Sequence, residues 1–366
     1  MTKKERPYLM FLMLGISLIS LLGLMSGVAR VGAASVNEET PPPPLQMGEV
    51  TVVSPFYSTQ EITLPDGTVL TKSIINGPRK PLSTHTPMTI EAIPQAATLV
   101  PNFPSFDWVY GCSAVSAAMI AAHQDANGYP NLYTGPTNGG VYPQTDTGFG
   151  TWKDSAGVTY PNNPLVASRQ GLDGLTTRGS INDYWVKYNS TTQDPFITGG
   201  WTQHTYGTSI GDYMRTSQSN YDNPDGSTGF YNYSNKNKLT CDLLESNGNI
   251  DDGNVGRSLF YRNRGYMVTE CYNQLTDNQI SGGFSLASYK AEINAGRAVM
   301  LHLEGHTIVG FGYDGSTIYI RDTWDSNPGN HYTMTWGGSY QGMRLHSVSI
   351  LKLAPFNNIF VPFITR

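Results

Sequence analysis

Charged side chains are scarce in this chain: Asp, Glu, Lys and Arg make up 14% of its 366 residues, with a formal net charge of −5. Beyond the N-terminal segment there is no basic run, which argues against nucleic acid as a partner. Neither a His-Glu-x-x-His motif nor paired Cys-x-x-Cys motifs occur, so a zinc enzyme is not indicated. No Gly-x-Ser-x-Gly elbow stands between a predicted strand and a predicted helix, which argues against a serine hydrolase. We expect no cofactor and no metal.

The N-terminus has the pattern of an export signal. Three basic residues among the first six precede an apolar run over residues 8–28, and the small residues 31–34 fit a signal-peptidase site. The sequence therefore predicts a signal peptide over residues 1–34, a secreted or cell-surface protein, and no membrane attachment after cleavage. A retained anchor is the alternative, since the run is long enough to span a bilayer.

Cys112 stands where a glycine-bearing loop is expected to give way to a helix, because the residues that follow it, 113–123, are small and apolar. At a helix N-terminus the free N–H groups and the dipole stabilise a thiolate, which is the nucleophilic form of cysteine. The alternative is a cysteine that simply packs in the core.

A second segment near the other end of the chain offers a base. Residues 306–324 predict two strands joined by an Asp-Gly turn, with His306 opening the first strand and Asp322 closing the second. A thiol needs an imidazole to deprotonate it, and a third polar group fixes the tautomer of that imidazole. A two-residue turn places His306 and Asp322 on opposite faces unless a bulge intervenes, so parity leaves this pairing open.

The run from His306 to Trp324 resembles the papain-like cysteine peptidases, in which a histidine strand is followed by a strand ending in Asn-Ser-Trp or Asp-x-Trp. The string Gly-Cys-Ser-Ala-Val from Gly111 onward is similar to the bacterial branch related to the bacteriocin-leader-processing peptidases. The resemblance implies an α+β, papain-like fold with an N-terminal nucleophile helix packed on an antiparallel β-sheet. It also implies Cys112 as nucleophile, His306 as general base and acid, and Asp322 as the residue orienting His306.

One position departs from this family pattern. Papain-like enzymes carry a glutamine about six residues before the cysteine, whose amide helps to bind the oxyanion, and this chain has Phe106 there. Such a donor is worth roughly 10²–10³ in rate. We take Asp107, Trp108 and Trp324 as candidates for the oxyanion site or the cleft.

The resemblance divides the chain into four parts. Residues 1–34 are the signal peptide, 35–98 a proline-rich linker with a possible propeptide or β-hairpin, 99–354 the peptidase domain, and 355–366 a short apolar tail. The hairpin is expected around the turn 65–67, with strands over 61–64 and 68–71. The segment 35–98 is either an inhibitory propeptide or a tether whose hairpin packs on the domain.

The chain has three cysteines. If Cys112 stays free to react, Cys241 and Cys271 are left to form a disulfide in the exported protein. A bridge from Cys112 to either of the others would abolish the nucleophile.

The long middle segment is rich in turn signals, and short helices are predicted over residues 180–188 and 209–217. A clearer helix is predicted over 285–296, followed by a strand over 298–303. The acidic runs beginning at Asp222 and Asp251 lack the alternating oxygen ligands of a calcium loop, so turns are the favoured interpretation.

These patterns predict a secreted, monomeric cysteine peptidase that acts on a peptide or protein substrate through a Cys112 thioester. Two alternatives stay open. One is an inactive secreted module that binds peptide or glycan on the same fold, and the other is an amidase or transpeptidase.

Overall fold

Antiparallel strands dominate the part of the chain that the structure describes, and five helices in that part pack on them. This computed structural model describes residues 46–84, 86–89, 92–109, 111–133, 140–149, 151–153, 159–161, 163–167, 209–217, 221–223, 226–248 and 251–355. The sixteen strands of these ranges are β1 Gln46–Ser54, β2 Tyr57–Thr63, β3 Val69–Ile75, β4 Met88–Thr89, β5 Thr98–Leu99, β6 Thr151–Lys153, β7 Thr159–Pro161, β8 Thr228–Tyr233, β9 Leu239–Thr240, β10 Val268–Leu275, β11 Val299–Leu303, β12 His306–Asp314, β13 Thr317–Arg321, β14 Asn330–Thr335, β15 Ser339–Tyr340 and β16 Met343–Leu353. The helices are α1 Cys112–Ala126, α2 Ile210–Met214, α3 Cys241–Ser246, α4 Gly253–Asn263 and α5 Leu286–Asn294, with a 3₁₀ turn at Thr147–Phe149.

A ten-stranded sheet forms the body of the molecule, in the order β4-β14-β13-β12-β11-β16-β10-β9, with β15 beside β16 and β5 beside β12. Its strand pairs are antiparallel. The central strand β11 is buried along its whole length, and β12 over its first seven residues. This agrees with their continuous apolar and β-branched character, since strands covered on both faces lose the alternating pattern. The chain is therefore an α+β protein, as the sequence predicts.

A smaller sheet, in the order β1-β2-β3-β8, contains the predicted N-terminal hairpin. The turn between β2 and β3 includes Gly67, whose φ of +84° suits glycine. Both strands are longer than the sequence pattern indicates, because β2 also pairs with β1 and β3 pairs along its length with β8. Strand pairing thus crosses the predicted boundary at residue 98, and β4 and β5 likewise pair with strands of the large sheet.

The described residues form two hydrophobic cores, of which the larger contains the free Cys112 and the smaller contains Cys241. The larger surrounds α1, α5 and the strands β11, β12 and β16. The smaller lies under the N-terminal hairpin and includes Cys241, which is disulfide-bonded to Cys271 with 5.4 Å between their Cα atoms. Cys112 is a free, buried cysteine. This is the pairing expected if Cys112 is to react.

Several predicted elements can be compared with the structure. The helix predicted over 285–296 is α5, and Ser285 caps it by accepting the N–H of Ser288. The helix predicted over 209–217 is shorter, because Arg215 adopts a left-handed φ of +57° and ends it. Asp252 is the N-cap of α4, accepting the N–H groups of Asn254 and Val255.

Other predictions lie outside the described residues: the signal peptide 1–34, residues 35–45 of the proline-rich linker, the helix 180–188 and the tail beyond residue 355. Among the helices of the described ranges, none has the length and apolar character needed to cross a bilayer.

Candidate active site

Cys112 is the first residue of α1, and Gly111 is the N-cap before it. Gly111 has a φ of +141°, and a Cβ there would lie 2.5 Å from the carbonyl oxygen of Gly226 and 2.6 Å from Cγ2 of Thr216. Only glycine meets both conditions, so this position fixes the approach of the chain to the helix. The thiol consequently sits at the N-terminal end of a fifteen-residue helix.

Small side chains let α1 lie close against β12. The hydroxyl of Ser116 donates to the carbonyl of Thr307 at 3.1 Å, and the hydroxyls of Ser113 and Thr307 are 2.8 Å apart. The N–H of Thr307 donates to Cys112 Sγ at 3.3 Å. The thiol is completely buried. That burial raises the pKa of Cys112, while the N–H groups of Thr307 and Gly77 oppose the rise.

His306 is the first residue of β12, next to a two-residue turn from β11 in which Leu303 pairs with His306. Its Nε2 is 2.7 Å from the carbonyl oxygen of Asp322. Since a carbonyl only accepts, Nε2 carries the proton, and burial lowers the pKa of His306 to about 4, so the ring is neutral. Nδ1 then bears a lone pair, and it has no hydrogen-bond partner among the described residues. This is the tautomer that a general base requires.

The position of Gly77 relates the thiol to this lone pair. A Cβ built on Gly77 would lie 2.7 Å from Cys112 Sγ and 2.3 Å from His306 Nδ1. The two atoms are therefore within about 5 Å of each other. The structure brings together the nucleophile and the base predicted from opposite ends of the chain, with the Gly77 backbone beside both.

Asp322 adjoins His306, but its carboxylate does not hold the imidazole. The main-chain carbonyl of Asp322 takes that role, whereas the carboxylate accepts the hydroxyl of Tyr340 at 2.6 Å and the N–H of Trp324 at 3.1 Å. Burial raises the pKa of Asp322 to about 6. The expected contact between the Asp322 side chain and His306 is thus replaced by a main-chain contact, so the tautomer does not depend on the carboxylate.

The strand parity that the sequence left open has a structural answer. The pairs Asp314–Thr317 and Val309–Arg321 enclose a two-residue turn and an irregularity between Gly310 and Gly312. One extra residue on β12 restores the parity that the short turn would otherwise reverse.

Trp324 packs on His306, with their ring centroids 4.2 Å apart and their planes inclined by 12°. Trp108 is buried, and the guanidinium of Arg79 lies 5.4 Å from its ring centre. Asp107 is half-buried, and its carboxylate accepts the N–H of Trp108 at 2.8 Å. Trp324 therefore lies against the base and Trp108 against Arg79, while the Asp107 carboxylate is engaged by the neighbouring main-chain N–H.

Phe106 cannot replace the missing glutamine. Its ring is fully buried and meets Tyr142 edge to face at a centroid distance of 5.2 Å. A fully apolar side chain has no oxyanion donor to offer.

His302 is not the base, because both of its ring nitrogens are engaged. Nε2 is 2.7 Å from Ser349 Oγ and Nδ1 is 3.2 Å from Thr307 Oγ1. The Ser349 hydroxyl donates to Asn273 Oδ1, so it must accept from Nε2 of His302, and Nδ1 in turn accepts from Thr307. This chain of hydrogen bonds supports Thr307, whose N–H contacts the thiol.

The string from Gly207 to Gly211 has serine-elbow spacing, but Ser209 is the N-cap of α2. It is buried, and its N–H donates to the carboxylate of Asp212 at 3.2 Å. That is the geometry of a helix cap and not of an exposed nucleophile.

Sequence reasoning missed three contributors to the site: the segment around Gly77, Thr307 and Tyr340. Asn76-Gly77-Pro78 has the composition of a turn, and nothing local marks it as a neighbour of a cysteine 35 positions later.

Among the described residues, no group of three or more His, Cys, Asp or Glu side chains is placed to hold a metal. Comparisons with protein-family models, curated proteins and solved structures give no match.

Proposed function

We propose that this chain is a papain-like cysteine peptidase of the branch related to the bacteriocin-leader-processing peptidases, secreted after removal of residues 1–34. Its reaction is acyl transfer from a peptide or amide to Cys112 and then to water. The observation that carries the proposal is the position of His306 Nδ1, deprotonated and within about 5 Å of the Cys112 thiol at a helix N-terminus.

The chemistry needs only these two side chains. Nδ1 of His306 accepts the thiol proton, and Sγ forms a bond to the substrate carbonyl carbon. When the tetrahedral intermediate collapses, the carbon–nitrogen bond breaks and Nδ1 returns the proton to the leaving amine. Water, deprotonated by the same nitrogen, then hydrolyses the thioester and restores the thiol. Each proton taken by His306 is given back within one half-reaction.

Oxyanion stabilisation is assigned to the start of α1. The first N–H groups of a helix have no partner within the helix, and those of Cys112 and Ser113 adjoin the sulfur. The positive end of the dipole of α1 favours negative charge at the same point. The main chain thus supplies donors where Phe106 supplies none.

The orientation of His306 depends on the main-chain carbonyl of Asp322, and on the stacked ring of Trp324. This arrangement predicts unequal effects of substitution. His306→Ala removes the base, whereas Asp322→Asn leaves the carbonyl in place and serves as the matched control.

The rate of Cys112 alkylation by iodoacetamide at pH 6 tests the proposal. Without a base, an ordinary thiol with a pKa of roughly 8.5 is about 0.3% thiolate at that pH. Burial lowers the thiolate fraction of Cys112 further, so we expect His306→Ala to slow labelling at least about 100-fold. His306→Ala removes a ring beside the sulfur and so does not reduce access to it, which means that slower labelling of this variant reports lost activation. Asp322→Asn should label within about tenfold of the wild type, because the tautomer does not depend on its carboxylate.

Equal labelling of the wild type and His306→Ala over pH 5–9 would contradict the proposal. Cys112 would then be an ordinary buried thiol, and the inactive peptide- or glycan-binding module would be the better account. Peptide mapping assigns the label to Cys112 in each case.

A further inference from the structure

A segment of the chain itself covers the Cys112–His306 pair. We call Asn76–Gly77–Pro78–Arg79 the strap. Gly77 and Pro78 are buried, and Asn76 and Arg79 are half-buried. Gly77 does not have a positive φ, so backbone conformation alone would allow other residues there. The available space excludes every residue but glycine, because a Cβ would lie 2.3 Å from His306 Nδ1 and 2.7 Å from Cys112 Sγ.

The strap is held at both ends and in the middle. Upstream it continues from β3, and the N–H of Asn76 donates to the carbonyl of Phe56 at 2.9 Å. In the middle, Trp324 Nε1 donates to the carbonyl of Pro78 at 2.8 Å, and Arg79 lies over the Trp108 ring.

Downstream of the strap, the N–H and hydroxyl of Ser83 both donate to the side-chain oxygen of Gln341 at 2.7 Å. The indoles of Trp324 and Trp108, predicted as cleft residues, both contact the strap. A chain fixed at several points along this path leaves no room for another peptide over the same two atoms.

The strap is not bound in the manner of a substrate. The Gly77 N–H is turned toward the Cys112 sulfur, where it opposes the rise in the pKa of the thiol. A substrate must instead place a carbonyl carbon against the sulfur, about 3–3.5 Å away and aligned for attack. The segment therefore occupies the site with a donor where the reaction needs an electrophile.

We propose that the strap is a built-in inhibitor, which keeps the Cys112–His306 site closed until it is displaced and which requires glycine at position 77. This inference rests on the proposed function for its catalytic meaning. Burial under the strap agrees with a closed, neutral pair, since the pKa of Cys112 is raised and that of His306 is lowered to about 4. The ion pair forms, and reagent or substrate reaches both groups, only while the strap is displaced, which happens rarely in the wild type and more often in a strap variant.

The test is the rate at which iodoacetamide alkylates Cys112 in the full mature chain carrying Gly77→Ala. The added methyl group collides with both site atoms and displaces the strap, so labelling at pH 7 should accelerate at least about tenfold. Gly148→Ala is the matched control, because a Cβ there meets nothing within 4 Å and its φ is not positive. It should label at the wild-type rate.

Labelling of Gly77→Ala at the wild-type rate, with an unchanged thermal melt, would overturn the proposal that the strap is an inhibitor. Should this variant lose the cooperative melt, Gln341→Gly decides instead. It frees Ser83 at a distance from the chemistry and suits the φ of +52° at that position. Faster labelling supports the strap, and wild-type labelling overturns it.

A double variant separates the two proposals. If Gly77→Ala labels quickly and adding His306→Ala slows it at pH 6, both the strap and the catalytic pair are supported. If the double variant labels as quickly as Gly77→Ala alone, the strap still controls access but the proposed activation of Cys112 fails.

Discussion

Replacing Cys112 by alanine in the Gly77→Ala protein should abolish peptide hydrolysis, with a loss of at least about 10⁴-fold. The reason is that no other nucleophile replaces the sulfur. Members of a nucleophile–base unit act together, and loss of the nucleophile alone typically removes most of the rate enhancement. Turnover of a quenched-fluorescent peptide library measures the effect whatever the cleavage specificity of the enzyme.

Ser113→Ala is the control for this substitution. Its hydroxyl adjoins Cys112 in sequence and contacts Thr307, so it shares the environment of the thiol without the proposed role. We expect it to retain activity within about tenfold, because one neutral hydrogen bond is worth about 1 kcal/mol. Hydrolysis that survives Cys112→Ala but disappears in Ser113→Ala would assign the nucleophile to the serine and overturn the account.

Removal of the Cys241–Cys271 bridge should lower the free energy of unfolding by about 3–4 kcal/mol, as the loop-entropy relation gives for a closed loop of this length. The bridge joins the start of α3 to β10 beside the smaller core, so the loss falls on that part of the fold. Urea denaturation of Cys241→Ala/Cys271→Ala against the oxidised wild type measures it. The wild type reduced with dithiothreitol is the control and should match the double variant.

A difference below about 1 kcal/mol between the bridged and unbridged proteins would contradict this expectation. Cys112 offers an internal check, because it belongs to the larger core. Its alkylation rate in the folded double variant should equal that of the wild type.

The elements that sequence patterns predicted well are those specified by local residues. Ser285 marks the start of α5, the Pro65-Asp66-Gly67 turn marks the N-terminal hairpin, and the small residues after Cys112 mark α1. Caps, turns and periodicity act over a few positions, so one segment contains the whole signal.

The features that escaped prediction depend on contacts distant in sequence. The Asp322 carboxylate bonds to Tyr340, which lies beyond β14, and the imidazole is left to a carbonyl that no sequence pattern distinguishes. The irregularity beside Gly310 has no marker either, although it decides the strand parity. Main-chain partners are chemically alike at every residue, so their use is invisible in sequence.

The strap is a further feature that depends on contacts distant in sequence and that sequence patterns did not predict. The sequence left residues 35–98 as either an inhibitory propeptide or a tether whose hairpin packs on the domain, and the packed hairpin alone does not distinguish them. What distinguishes them is the position of one glycine against two atoms more than thirty residues away in one case and more than two hundred in the other. Neither composition nor turn chemistry encodes that distance.

The central claim is that Cys112 forms a covalent acyl intermediate, and mass spectrometry of the enzyme during turnover tests it most directly. The Gly77→Ala protein is acid-quenched while it hydrolyses a peptide from the library, and the fragment containing Cys112 is weighed. The account predicts an added mass equal to the acyl part of that peptide, lost on treatment with hydroxylamine and absent when His306 is alanine. Turnover with no adduct on Cys112, or with the adduct on another residue, would contradict it.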